Sequence, residues 1–208
     1  MPLDTWLAFV AASTLLLLLP GPTVLMVLSY AISQGRRVAV STAAGVAVGD
    51  FIAMTASLAG LGALVMASAT LFTALKWIGA IYLVYLGVKM ILSAGRARFA
   101  LPEASDISAR RTFGHAVAVT ALNPKSIAFF IAFVPQFVAP GAPLIPQFAI
   151  LIGTFVTLAV LNALAYALLA GSLRERLRRP GVIAWLTRAG GGTLVAMGVL
   201  TATLRRGV

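Results

Sequence analysis

The run Thr14-Leu15-Leu16-Leu17-Leu18-Leu19-Pro20-Gly21-Pro22-Thr23-Val24-Leu25-Met26-Val27-Leu28-Ser29 decides how the chain is read. It is apolar enough for the middle of a membrane helix, yet a Pro-Gly-Pro triplet sits at its centre. Each proline removes a backbone donor and blocks the carbonyl one turn back, while Gly21 is free to take angles that other residues avoid. The apolar stretch extends from Thr5 to Ser33, more than the roughly 20 residues a bilayer crossing needs. Counted at about 1.5 Å per residue from Thr5, the interruption falls near the bilayer centre. Backbone broken at that depth is tolerated only where protein or a water-filled cavity satisfies it. The flank before this span holds Asp4 and no Lys or Arg, and no small-x-small cleavage site follows, so it reads as a retained helix and not a signal peptide.

Working outward, the rest of the chain is of the same kind. Of 208 residues, 61% are hydrophobic and 10% charged, with a mean hydropathy of +1.01. A chain this short could not bury so much apolar surface in a water-facing fold. Five further apolar segments follow Thr5–Ser33, namely Val38–Met66, Leu71–Leu92, Phe113–Val138, Leu144–Gly171 and Val182–Leu204. The fold class is therefore an all-α polytopic membrane protein of six transmembrane helices, a single transmembrane domain over 1–208. The absence of cysteine excludes disulfides and thiol chemistry. The net charge of +11 does not point to nucleic acid, because the arginines lie in short clusters between apolar runs.

Those clusters give an orientation. Arg36 and Arg37, then Arg96, Arg98, Arg110 and Arg111, then Arg174, Arg176, Arg178 and Arg179 occupy the first, third and fifth loops. The second and fourth loops carry no charge. The positive-inside rule puts the odd loops in the cytoplasm and both termini outside. Arg205 and Arg206 at the C-terminal end, and Lys76 near the outer end of the third span, run against this and are outweighed. Trp6, Trp77 and Trp185 fall near span ends, where interfacial tryptophans belong.

The two halves also resemble each other. An offset of 111 lays Gly79, Leu83, Val84, Gly87 and Val88 on Gly190, Leu194, Val195, Gly198 and Val199; an offset of 104 lays Pro20 on Pro124 and Gly49 on Gly153. Three spans per half is an odd number, so a second copy enters the membrane from the opposite side. The expectation is a 3+3 inverted-topology repeat, about 1–95 and 112–208, joined by a cytoplasmic linker at about 96–111, with broken helices 1 and 4.

Three groups of residues carry chemistry at the expected midplane. Pro20, Gly21 and Pro22 break the first span. Asn123, Pro124 and Lys125 interrupt the fourth, where a lysine costs a few kcal/mol and should face the bundle interior with a partner. Gly45, Gly49 and Asp50 lie in the second span: the glycines allow close helix approach, and Asp50 is the one acid within a span. A structural Asp50–Lys125 ion pair is the bland reading of the two charges. Tyr82, Gln136 and Asn162 are candidates to line a pathway or to bond across helices. His115 reads as an interface residue at the cytoplasmic mouth of the fourth span, and Phe129, Phe130, Phe133 and Phe137 as packing or lipid contact.

Taken together, Pro20-Gly21-Pro22, Gln34-Gly35-Arg36-Arg37 followed by Gly45 and Gly49-Asp50, Leu75-Lys76-Trp77-Ile78-Gly79-Ala80-x-Tyr82-Leu83-x-Tyr85-Leu86-Gly87, Asn123-Pro124-Lys125-Ser126, Phe129-Phe130 and Pro135-Gln136-Phe137 resemble the LysE/RhtB type of bacterial amino-acid exporters, the lysine and homoserine-threonine translocators. The resemblance covers nearly the whole chain and is least distinctive in the C-terminal third. It implies a carrier in the bacterial inner membrane that exports amino acids or close derivatives by proton antiport, with no cofactor. The expected partners are a small amino-acid substrate, protons and the lipid bilayer, with no nucleic acid. A homodimer through the glycine-rich faces of spans two and six is a further expectation.

Half-helix ends near the membrane centre suit a zwitterion: N–H groups and Lys125 for the carboxylate, unwound carbonyls and an anion for the ammonium. Two roles are open to Asp50, binding the substrate ammonium or carrying the coupling proton. A metal-cation exporter is the alternative of the same architecture, yet one carboxylate and one peripheral histidine make a poor metal site. A passive channel is another. An enzyme is not indicated: a second intramembrane carboxylate, HExxH, a serine elbow and a cofactor motif are all missing.

Overall fold

A computed structural model of the chain describes residues 1–19, 21–34, 36–96, 108–139, 141–177 and 179–203. Pro20, Gly35, Arg98, Pro140, Arg178, Arg205, Arg206 and most of the expected 96–111 linker lie outside the described residues. Eight α-helices run in chain order through the described residues: α1 (Leu3–Leu18), α2 (Pro22–Gln34), α3 (Arg36–Ala67), α4 (Ala69–Ser93), α5 (Ala109–Ala121), α6 (Pro124–Ala128), α7 (Leu144–Leu177) and α8 (Pro180–Thr203). No strand occurs among the described residues.

Among the described residues five segments are long and apolar enough to cross a membrane: Val38–Gly62, Thr70–Ser93, Ala109–Phe137, Leu144–Gly171 and Gly181–Thr203. The α1–α2 pair, bent by 57°, makes a sixth when taken as one span. These coincide closely with the segments read from hydropathy, and the chain is a multi-pass membrane protein.

Local chemistry sets the helix starts. Ser68 caps α4 by accepting from the Leu71 amide, and Ser108 caps α5 by accepting from the Arg111 amide. Pro22, Pro124 and Pro180 each stand at the beginning of a helix, where the missing N–H is not needed. After α6 the chain tightens and loosens in turn. Phe129–Phe133 forms a π turn, with the Val134 amide donating to the Phe129 carbonyl, and Val134–Phe137 follows as a 3₁₀ turn. Sequence reading does not anticipate this irregularity. Its physical reason is Pro135, which cannot donate into an α-helical ladder.

Helix α3 is the hub, contacting α2, α4, α5, α6 and α7. Its seam with α5 is close because two glycines face that helix. A Cβ at Gly45 would stand 2.6 Å from the Ala116 Cβ, and one at Gly49 would stand 2.7 Å from the Thr120 Cβ. Helices α4 and α8 form the most extensive pair. There a Cβ on Gly87 would meet the Gly191 carbonyl oxygen at 2.5 Å, and one on Gly198 the Ala80 carbonyl oxygen at 2.7 Å. Gly45, Gly49, Gly191 and Gly198, in the spans whose glycine faces the sequence reading assigns to a second copy, are thus packed within the chain, whereas Gly60 and Gly192 have nothing within 4 Å of their Cβ positions. Between these seams lies an aromatic core: Phe129, Phe130 and Phe155 are fully buried, with Phe130 edge-on to Phe155 at 4.8 Å. Phe133 and Phe137 are also buried, so all four phenylalanines of this run pack inward. The outward faces, with Ile81, Leu92, Ile145, Leu168 and Trp185 exposed, are apolar as a lipid-facing surface requires.

Candidate functional site

Helix α1 ends at Leu18; the Leu16 carbonyl accepts the Leu19 amide at 3.4 Å, and those of Leu17, Leu18 and Leu19 meet no such partner among the described residues. At this depth each needs a donor from elsewhere. The fold supplies three side chains. Lys125 Nζ donates to the Leu16 carbonyl at 2.9 Å and to the Leu19 carbonyl at 3.0 Å. Asn162 Nδ2 donates to the Leu17 carbonyl at 3.0 Å, and the Tyr166 hydroxyl to the Leu18 carbonyl at 2.8 Å. Four consecutive carbonyls are therefore each bonded by a side chain. Asn162 and Tyr166 are one helical turn apart on α7, so both reach the same helix end.

The other interruption is capped locally. Asn123 precedes α6, and its Oδ1 accepts the Lys125 amide at 3.1 Å. Its Nδ2 donates to Thr23 Oγ1 at 3.2 Å, and Thr23 lies 3.5 Å from the Thr120 hydroxyl. This chain of polar contacts ties the start of α2 to the α5–α6 junction. Lys125 is held by both: its backbone by Asn123, its ammonium by α1. It is also the closest neighbour of Gly21, whose Cβ position lies 3.4 Å from Nζ. A Cβ at 21 would rest against the lysine in ordinary van der Waals contact, so there is no spare room there for a longer side chain.

Asp50 projects from α3 into the same place. The surrounding cavity is lined by Gly21, Thr23, Asp50, Asn123, Lys125, Ser126, Asn162 and Tyr166 on its polar side, and by Val24, Val27, Val46 and Ala159 on its apolar side. Its volume is about 30 Å³, enough for a water or two and well short of an amino acid. Asp50 is 2% exposed. Among the described residues its carboxylate makes no ion pair within 4 Å and no hydrogen bond. Lys125 is partnered instead by backbone carbonyls, and its burial argues against a side chain reaching for the membrane surface. The Asp50–Lys125 ion pair anticipated as the bland reading is absent in this state.

Of the residues singled out in the sequence, Gly21, Asp50, Asn123, Lys125 and Asn162 meet at one cavity. Pro22 and Pro124 start the helices that border it. Pro20 lies outside the described residues. Gly45 and Gly49 serve the α3–α5 seam one turn and one residue from Asp50. Tyr82 does not come to the cavity; it is on the exposed face of α4, 6.0 Å from Tyr85. Gln136 sits in the 3₁₀ turn beyond the aromatic core, away from the cavity. His115 accepts or donates one bond, 2.8 Å between Nδ1 and the Tyr30 hydroxyl, joining α5 to α2. Sequence reasoning missed Tyr166, Thr23 and Ser126. The spacing Asn162-x-x-x-Tyr166 was the available signal, since it sets two donors on one face of α7. Among the described residues no three His, Asp or Glu side chains come together as a metal site.

A family model described as LysE type translocator matches residues 14–205. The chain is similar to a homoserine/homoserine lactone efflux protein of Salmonella typhimurium, 34% identical with 99% of both chains covered. It is 32% identical to an uncharacterized membrane protein of Vibrio cholerae, over 99% of this chain and all of that one. A leucine efflux protein of Klebsiella pneumoniae is 31% identical, covering 66% of this chain and 65% of its own length. No solved structure matches.

Proposed function

Since this chain belongs to the LysE type translocator family, we propose that it is a secondary transporter that exports amino acids or close derivatives from the cytoplasm by proton antiport and alternating access. The observation that carries the reading is the cavity at the α1–α2 break. A helix C-terminus with four bonded carbonyls, a helix N-terminus at Pro22–Val24 and an unpaired carboxylate all border it. The carbonyl end and Asp50 suit an ammonium, and the α2 amides with Lys125 suit a carboxylate. Names of the relatives point the same way, as homoserine, homoserine lactone and leucine share a primary ammonium.

In this reading α1 and α2 are the halves of one interrupted span, and α5 and α6 with the turns beyond them are those of another. The two belong to an inverted repeat, residues about 1–95 and 112–208. The α4–α8 seam supports the repeat: moving by the 111-residue offset turns the pair Gly87–Gly191 into Gly198–Ala80, and both pairs are close approaches. The protein sits in the bacterial inner membrane with both termini outside, as the arginine-bearing loops require. The α3–α5 glycine seam is then the inward barrier and the aromatic core beyond Lys125 the outward one. Both are closed around a cavity too small for cargo, so transport requires one to part at a time. Asp50, whose carboxylate makes no direct ion pair in the closed state, is the group whose proton occupancy responds when water or ammonium arrives.

The test is counterflow in proteoliposomes made with the purified protein. Unlabelled homoserine, leucine or another amino acid inside should drive transient accumulation of the labelled form, saturably and above protein-free vesicles. Absence of counterflow across a full amino-acid panel contradicts the proposal.

A further inference from the structure

The carbonyls that the proposed function assigns to the substrate ammonium are already taken. Lys125 Nζ, on a side chain 9% exposed, holds the Leu16 and Leu19 oxygens at 2.9 and 3.0 Å. It is a primary ammonium like the one on the cargo, tethered beside the site. Its nearest carboxylate candidate, Asp50, lines the same cavity yet makes no ion pair with it. The lysine is therefore engaged as a ligand of the helix end, and Asp50 shares its cavity without bonding to it.

We propose that Lys125 is a resident stand-in for the transported amine: it fills the Leu16–Leu19 carbonyl site when cargo is absent and yields it when the cargo ammonium arrives. This rests on the exporter reading and deepens it. An empty carrier must return across the membrane, and at mid-bilayer a helix end with the Leu19 carbonyl bare and the Leu16 carbonyl left with one long amide bond is costly to carry through a closed state. Lys125 removes that cost by bonding them itself, leaving a cavity of about 30 Å³ and a sealed site. When cargo enters, its ammonium takes the carbonyls or Asp50, and the displaced Lys125 ammonium turns to the cargo carboxylate. The exchange swaps partners and neither creates nor destroys a charge in the membrane. Asn162 and Tyr166 stay on Leu17 and Leu18 throughout, keeping the helix end in shape.

The inference separates two activities that a simple ligand role for Lys125 would not. Substrate exchange uses only the loaded carrier, whereas net efflux into a substrate-free compartment also needs the empty one to return. Lys125→Met in proteoliposomes should slow exchange through the lost carboxylate contact and cut net efflux about tenfold or more beyond that, the scale of losing a charge-assisted bond pair. Methylammonium, present on both sides, should restore net efflux in the variant and raise its thermal midpoint in detergent, with neither effect on wild type. Net efflux and exchange falling by the same factor, or net efflux unchanged, overturns the inference and leaves the exporter reading intact. Wild-type vesicles with no exchange at all overturn both. Should Lys125→Met fail to reach the membrane, Lys125→Arg carries the test: it should slow net efflux more than exchange, and equal slowing counts against a stand-in.

Discussion

At the α1–α2 interruption the carbonyls of Leu16, Leu17, Leu18 and Leu19 depend on Lys125, Asn162 and Tyr166, which stand 106 to 148 residues away in the chain. At the α5–α6 interruption Asn123 caps the Lys125 amide two residues ahead. In both regions one helix stops and a proline starts the next, and both must satisfy the backbone groups left at the ends. The second does so locally and forms whenever its own residues fold. The first is assembled only when α6 and α7 are docked on α1, so a shift between those elements dismantles it. The proposed carrier needs one fixed end to hold and one that can open, and the chemistry of the two interruptions supports that division.

The comparison can be broken most severely at Asp50, the unbonded group beside the assembled end. Asp50→Asn should reduce efflux driven by an imposed pH gradient to the level seen without the gradient, measured in proteoliposomes; gradient-driven efflux equal to wild type contradicts a coupling role. Next in size is a contrast between glycines that coincide at the 104-residue offset. Gly49 faces α5, with Thr120 Cβ 2.7 Å and the Val117 carbonyl oxygen 2.9 Å from its Cβ position, whereas Gly153 has nothing within 4 Å. Gly49→Leu should lower stability by about 1–3 kcal/mol or prevent folding, because the α3–α5 seam cannot widen without cost. Gly153→Ala should be neutral or stabilising by up to about 1 kcal/mol through better helix formation. Thermal melting in detergent checks both.

Smaller effects sharpen the contrast between the breaks. Asn162→Ala strips the donor from the Leu17 carbonyl and should cost about 1–2 kcal/mol while also changing transport rate, since the movable end is disturbed. Asn123→Ala should cost about 1 kcal/mol, the usual worth of an N-cap, and leave the ratio of net efflux to exchange as in wild type. Melting curves give the first quantity and vesicle assays the second. Equal transport defects from the two substitutions at matched stability would erase the distinction between a fixed and a movable break.

Much of this architecture is readable from the chain. Long apolar runs locate the spans, and Pro20-Gly21-Pro22 and Asn123-Pro124 mark where helices stop, because proline and glycine act through local sterics. Asp50 and Lys125 stand out because charge at mid-membrane is expensive wherever it points. What the chain does not display is which groups meet. Lys125 and Asp50 suggest an ion pair from charge alone, yet the lysine is drawn to carbonyls that no side-chain pattern announces. Tyr166 looks like any aromatic of a membrane helix until α7 is docked on α1. Tyr82 and Gln136 mislead for the same reason, since a polar group on a membrane helix does not itself say whether it faces the cavity, another helix or the lipid boundary. The π and 3₁₀ turns at Phe129–Phe137 follow from Pro135, a local cause that is legible only in hindsight.

The most direct test of the central claim is an experimental structure of the protein with an amino acid it exports. The ammonium of that amino acid should lie within hydrogen-bonding distance of the Leu16–Leu19 carbonyls or Asp50, with Lys125 Nζ displaced toward the carboxylate. Cargo bound elsewhere, such as the groove between α3 and α7 lined by Phe51, Thr55 and Phe148, with Lys125 still seated on Leu16 and Leu19, would contradict it.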